Sequence, residues 1–410
     1  MQFCFIKKTY FYCFMIRNVV TYYLNSYKGL SKEIWLLSFV NLINRCGMMV
    51  IPFLMLYLTS KLGCSISKAS VVMSLWGLGA FLGSFIGGKL TDKIGFQAIQ
   101  LLSLFLGGIG FIILGQLQNY YLICGSTFVL AIINEMFRPA NSAALGKYST
   151  TENRIRSFTL MRLSFNLGWS IGAGIGGFIA HYSYELLFWI DGISNILSGI
   201  LLWLLLPNSK KENTTEKTIQ HKKDSVLKDK EFVYFILISF VFLSCFVQLF
   251  SNLPVYFKQI IKLQENQIGF LSSWNGILIV IAEMTLIYWI SKNWTQQKAI
   301  TIGVSLHAVG YLMLSFFHLN YLGTFIMMTI ITLSEMFSFS VLVNYWMNRT
   351  NDSNRGEYAA YWTMTWAAAQ TTAPFIGSQI IEHFSFQIWW CIVGILSLFA
   401  TYLYHQLIKN

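Results

Sequence analysis

Charge is what this chain has least of. Only 11% of its 410 residues are Asp, Glu, Lys or Arg, against 55% hydrophobic, and the mean hydropathy is +0.55. No water-soluble fold has an interior large enough for that much apolar surface. A soluble domain is excluded, and a chain crossing a bilayer several times is implied. Paired cysteines are missing as well. Cys4, Cys13, Cys46, Cys64, Cys124, Cys245 and Cys391 form no C-x-x-C, and most stand singly in apolar runs. That excludes a disulfide framework and a cysteine zinc site, and leaves small packing residues. Neither a metal nor an organic cofactor is expected.

What is present fits the same picture. Aromatics make up 17% of the chain, with 34 Phe and 13 Trp, as suits lipid-facing surfaces and interfacial belts. Only helical bundles and closed barrels satisfy their backbone in lipid, and apolar runs of this length select helices. The fold class is therefore an all-α membrane protein. Twelve spans are expected, at about 32–58, 68–90, 96–117, 119–145, 155–182, 185–206, 232–257, 266–290, 298–318, 320–346, 356–382 and 386–408.

The net charge of +12 does not indicate nucleic acid, because of where the bases lie. Arg45, Arg138 and Arg162 fall inside apolar segments, and Lys61, Lys68, Lys258 and Lys262 in one set of alternate loops. The rest fall at the termini and in the other loops. This asymmetry places both termini in the cytoplasm and the protein in a cytoplasmic membrane. The organisation expected is a cytoplasmic segment 1–31, a six-helix bundle 32–206, a lysine-rich cytoplasmic linker 207–231 and a second bundle 232–410. Residues Met1 to Phe14 are too short to span and lack a cleavage site. Met15 begins a run that reads as an amphipathic helix, so translation is expected to start there.

The two halves repeat. Leu37-Ser38-Phe39-Val40 returns as Ile238-Ser239-Phe240-Val241, Pro52 as Pro254, Glu135-Met136-Phe137 as Glu335-Met336-Phe337, and Asn153-Arg154 as Asn354-Arg355. A near-constant offset in the same order is the mark of parallel internal repeats.

One segment is distinctive. Gly88-Lys89-Leu90-Thr91-Asp92-Lys93-Ile94-Gly95 lies between the second and third apolar runs. Gly88 and Gly95 permit a reversal and close helix approach, Asp92 is placed to accept from a helix N-terminus, and Lys93 holds the loop in the cytoplasm. The pattern resembles the loop between helices 2 and 3 of the major facilitator superfamily of transporters, and departs from it at Phe96-Gln97. With the repeat, the resemblance covers residues 30–408. It implies the two-bundle fold of that family and secondary active, proton-coupled transport of a small solute by a monomer. It also implies that spans 1, 4, 7 and 10 line a central path.

Ionisable residues inside lipid spans are costly and are functional candidates by default. By the family assignment Arg45, Glu135, Arg138 and Glu335 face the path. Asn41, Asn44 and Arg45 share a helix face at i, i+3, i+4. They resemble the E-x-x-E-R signature of proton-coupled peptide symporters with both acids replaced by Asn, which cannot release a proton. Glu135 and Glu335 are then the candidates for carrying protons, Glu135 alternatively as an ion-pair partner of Arg45, Arg138 or Arg162. Asp191 and Glu283 are expected to lock helix contacts. Gly168, Gly172 and Gly176 recur every four residues, for close packing. The segment from Gly172 to Gly177 resembles the G-P-x-x-G-G antiporter signature, with Ala173 in place of Pro. Gly83-x4-Gly88-Lys89 imitates a P-loop, but Leu90 replaces the magnesium ligand. An efflux antiporter and a peptide-like symporter both stay open, as does a transporter-like sensor. A membrane-embedded transferase, the enzyme alternative, requires longer outer loops.

Overall fold

The computed structural model describes residues 29–150, 153–206, 226–350 and 355–408. The Met15 start, the amphipathic helix after it and most of the linker lie outside them. The described residues form fifteen α-helices: α1 (Lys32–Gly47), α2 (Val50–Leu56), α3 (Ile66–Ile94), α4 (Phe96–Gln116), α5 (Tyr120–Glu135), α6 (Phe137–Tyr148), α7 (Arg154–Tyr182), α8 (Tyr184–Leu205), α9 (Lys230–Val247), α10 (Asn252–Gln259), α11 (Glu265–Asn293), α12 (Gln296–Phe316), α13 (Tyr321–Met347), α14 (Arg355–His383) and α15 (Phe386–Leu407). Ten segments are long and apolar enough to cross a membrane. The 29-residue helices α11 and α14 pack among them. The protein is an all-α, multi-pass membrane protein.

Three of the expected spans are broken, each for a local reason. Proline has no N–H and its ring crowds the carbonyl four residues earlier. Pro52 follows Met48 by four, and the helix breaks between α1 and α2. Pro139 follows Glu135 by four, and it breaks between α5 and α6. Pro254 follows Phe250 by four, and it breaks before α10. Phe339 stands where the repeat puts Pro139, and α13 runs unbroken through Glu335.

Freed backbone groups at these breaks need partners. Asp191 on α8 is fully buried and accepts the Val50 N–H at 3.2 Å, at the start of α2. Asn195 Nδ2 donates to the other oxygen of Asp191 at 3.0 Å. The second half uses amides. Gln248 Nε2 donates to the Ser244 carbonyl at 3.2 Å, one turn before the break, and across to the Ala373 carbonyl at 3.1 Å, and Asn252 Nδ2 donates to Gln248 Oε1 at 2.7 Å.

Helices approach closely where side chains vanish, since packing rather than hydrophobicity holds helices together in lipid. A Cβ on Gly168 would lie 2.6 Å from the Cβ of Arg45, and one on Gly172 2.9 Å from the Arg45 carbonyl oxygen. Gly176 faces Met49. The stripe thus seats α7 on α1 and α2.

The chain's halves meet along two helix pairs, α7 with α11 and α3 with α14, and α2 touches α10. Two ends of the bundle can be distinguished. The linker end carries Leu205 and Lys230. The far end carries the α2–α3 and α10–α11 connections. Cross-half contacts gather at the far end. Ser67 N donates to Glu382 Oε1 at 2.7 Å, and Gln379 also reaches the Ser67 hydroxyl. Glu265 accepts from Tyr184 Oη at 2.9 Å, lies 3.7 Å from His181 Nδ1, and pairs with Lys258 at 2.7 Å. Deeper, Ser170 Oγ donates to the Ser273 carbonyl at 2.8 Å. Closest to the linker end, Arg162 pairs with Glu283 at 3.4 Å.

The expected loop at residues 88–95 needs correction. It is helical through Ile94, because nothing before Gly95 breaks a helix. The reversal is made by Gly95 alone, at φ +93°. Asp92 is exposed and makes no hydrogen bond or ion pair among the described residues, and α4 has no side-chain cap. Gly88 meets nothing. The close approach belongs to Gly79, Gly83 and Gly87, packed on the backbones of Phe128, Ile132 and Met136.

Candidate functional site: a cavity between the halves

A cavity of about 460 Å³ lies between the halves, within the range of small-molecule sites. The four charged residues expected on the path, Arg45, Glu135, Arg138 and Glu335, all line it. Their arrangement follows from the helices that carry them. Glu135 closes α5 at the Pro139 break, so Arg138 begins a new helix and folds back, 3.2 Å from the Glu135 carboxylate. The Arg138 side chain is 60% exposed, the Glu135 side chain 10%. Arg138 and the exposed Thr363 place the mouth of the cavity toward the linker end.

Arg45 is 8% exposed. Its Nη1 donates to Met48 Sδ at 2.8 Å and its guanidinium lies 4.7 Å from the Phe165 ring centre. Its Nε has no partner among the described residues. Arg45 and Glu135 do not form an ion pair here. On the opposite wall Glu335 accepts from Asn275 Nδ2 at 3.1 Å. That amide also donates to Thr332 Oγ1 at 3.0 Å. Glu335 has no basic partner among the described residues.

Asn41 and Asn44 are a correction. Neither lines the cavity. Asn44 Nδ2 donates to Asn195 Oδ1 at 2.9 Å, across to α8, and Asn41 is buried. A step of one residue rotates a helix position by about 100°, so Asn44 turns to α8 while Arg45 turns to the cavity. Asp191 and Glu283 hold helices. Asp191 completes the α1–α2 break, and Glu283 joins Arg162 on α7 and Ser340 on α13, accepting from the Ser340 hydroxyl at 3.0 Å.

The walls hold more than spans 1, 4, 7 and 10 supply. Trp76 on α3, Phe165 and Trp169 on α7, Asn275 on α11 and Trp366 and Gln370 on α14 all face the cavity. Trp169 meets Phe250 edge to face, with ring centres 5.6 Å apart, and Phe246 meets Trp366 the same way at 5.9 Å. Sequence reasoning passed over these residues. Aromatics are everywhere in the chain, so those facing the cavity carry no mark. Asn166, Asn275 and Gln370 do carry one: each is an uncharged polar residue inside a lipid-length run.

Comparison with known proteins bears on the fold and the family. Solved structures of a POT family transporter in complex with 5-aminolevulinic acid and of the nucleoside transporter NupG share the fold. The first has a TM-score of 0.78 at 15% identity, covering 93% of this chain and 98% of that one. The second has a TM-score of 0.73 at 12% identity, covering 93% and 100%. In sequence, the chain is 27% identical over 187 residues to the quinolone resistance protein NorA of Staphylococcus aureus, 45% of this chain and 48% of that protein. It is 24% identical over 266 residues to the multidrug resistance protein MdtH of Proteus mirabilis, 60% of this chain and 63% of that one. The chain thus matches about half to two thirds of the length of these relatives. The family description Major Facilitator Superfamily matches residues 37–370, and with that match over most of its length the chain belongs to the Major Facilitator Superfamily.

Proposed function

We propose that this protein is a secondary transporter that carries a small solute across a cytoplasmic membrane by alternating access, driven by protons. The cavity carries the reading. It lies between the halves, holds two acids and two arginines, and is closed by cross-half contacts toward one end. The basic residues favour a cytoplasmic linker end and cytoplasmic termini, so the conformation described is inward-facing. Residues 32–206 rock against 232–410 as two bundles within a monomer, with the linker between them. Glu335 is the favoured proton carrier, since no cation among the described residues pairs with it. Glu135, paired with Arg138, is the second candidate. The names of the two sequence relatives, a quinolone resistance protein and a multidrug resistance protein, favour a drug-like compound as the solute.

The test is flux in proteoliposomes with and without an imposed pH gradient, using a panel of metabolites and drugs. The expected result is gradient-driven accumulation of some member, lost in Glu335→Gln while exchange at equal concentrations persists. Concentrative, pH-dependent flux in the Glu135→Gln/Glu335→Gln double variant would remove both acids from the coupling step. No flux of any compound sinks the transport reading.

A further inference from the structure

We infer that the cavity binds its solute through a single anionic group, a carboxylate or its equivalent, seated on Arg45, with an aromatic body against the neighbouring rings. This rests on reading the cavity as the solute site, and it adds the solute's chemical class.

The argument starts from the unmet needs of Arg45. A guanidinium offers five N–H donors in a planar fork. Here a thioether sulfur, a weak acceptor, takes one of them, and Nε has no partner. The carboxylates that could reach it are engaged elsewhere. Glu135 lies 3.2 Å from Arg138. Asp191 holds the Val50 N–H and the Asn195 amide. Glu135 and Asp191 act on Arg45 only through space, with neither in ion-pair contact, so the desolvation of a cation 8% exposed is repaid only in part. The geometry that repays it is a two-oxygen anion in the fork, made of charge-assisted bonds.

The surroundings limit the rest of the solute. Phe165 already lies under the guanidinium, and Trp169, Phe250, Phe246 and Trp366 continue the wall. Flat apolar faces beside one unsatisfied cation suit an aryl group carrying an acid. Glu335, with its amide partner Asn275, is on the opposite wall. An anion held at Arg45 leaves that acid free for a proton.

The experiment is calorimetric titration of the purified full-length protein with 1-naphthaleneacetate, 1-naphthaleneacetamide and 1-naphthylmethylamine. These share a ring and differ in charge. Wild type should bind the carboxylate about 10- to 100-fold more tightly than the amide, the range of a charge-assisted pair. Arg45→Gln should weaken the carboxylate far more than the amide, so that the preference is lost, and a cooperative melting curve shows that the variant is folded. Arg45→Lys should keep part of the preference. Equal binding of carboxylate and amide by wild type, tightest binding of the amine, or binding of none of the three overturns the proposal. The assay needs no gradient. A protein that prefers the carboxylate but moves no solute would contradict transport alone.

Discussion

Gly177 of α7 and Gly269 of α11 face each other across the halves so closely that a Cβ on either would lie 2.5 Å from the other's Cα. The atoms in the way are backbone and cannot turn aside. Gly177→Leu should therefore pry the far end open, at a cost of about 1–3 kcal/mol to the closed arrangement. The check is maleimide labelling of a cysteine at Ile51, in a variant without other cysteines. Labelling from the far-end side should rise about 5-fold or more; an unchanged rate would mean that the pair does not set the closure.

Arg162 and Glu283 also cross between the halves, nearer the linker end. The Arg162 side chain is 47% exposed and Glu283 13%, so the pair should contribute only about 0.5–1 kcal/mol. A double-mutant cycle of Arg162→Gln and Glu283→Gln, read by thermal unfolding in detergent, should show coupling of that size. The exchange Arg162→Glu with Glu283→Arg should recover part of it. Strictly additive single effects would show the contact to be incidental.

Asp191 should act on stability before it acts on transport. Asp191→Ala leaves the Val50 N–H buried without an acceptor, and Asp191→Asn sets an amide donor beside the Asn195 donor. Each should cost about 1–3 kcal/mol. Adding Asn195→Asp to Asp191→Asn restores an acceptor opposite a donor and should recover part of the loss in a melting experiment. A pair no more stable than Asp191→Asn alone would refute this account.

At the linker end Asp229 caps α9 through the Phe232 N–H and accepts from Arg349 Nε, Arg349 Nη2 and the Tyr358 hydroxyl. Burial pushes its carboxyl up, but these donors, Arg349 foremost, hold it below the usual carboxylate range. Its stabilising contribution is present above the unfolded value of about 3.9 and is lost as pH falls through the lower folded value. Asp229→Asn should cost about 1–3 kcal/mol at pH 7. Melting curves of wild type and variant should converge as pH falls below about 4. A gap that stays constant with pH would place the stabilisation elsewhere.

Much of this was readable in the residues. Apolar run length alone put the segment borders within a few positions, as at Arg154–Tyr182 and Phe386–Leu407, because an apolar run of that length satisfies its backbone in lipid only as a helix. The four charged cavity residues were visible because charge in a span is rare. What failed depends on distance and angle. Asn44 meets Asn195, 151 residues away, and no local pattern encodes that partner. The stretch from Gly88 to Gly95 resembled a loop, yet only Gly95 adopts a conformation that a helix cannot. The breaks after Gly47 and Glu135 are written in Pro52 and Pro139, each four residues past the carbonyl it crowds, at Met48 and Glu135, and apolar run length alone passes over them.

The two comparable joints, before Val50 and before Asn252, share a backbone plan but are fastened with different chemistry. The first is fastened by an acid, Asp191; the second by the amides of Gln248 and Asn252. A proton can loosen an acid's grip on an N–H, and it has nothing to act on in an amide. One joint is therefore held by a group that can carry charge and the other by groups that cannot, so the two halves repeat in backbone but not in chemistry.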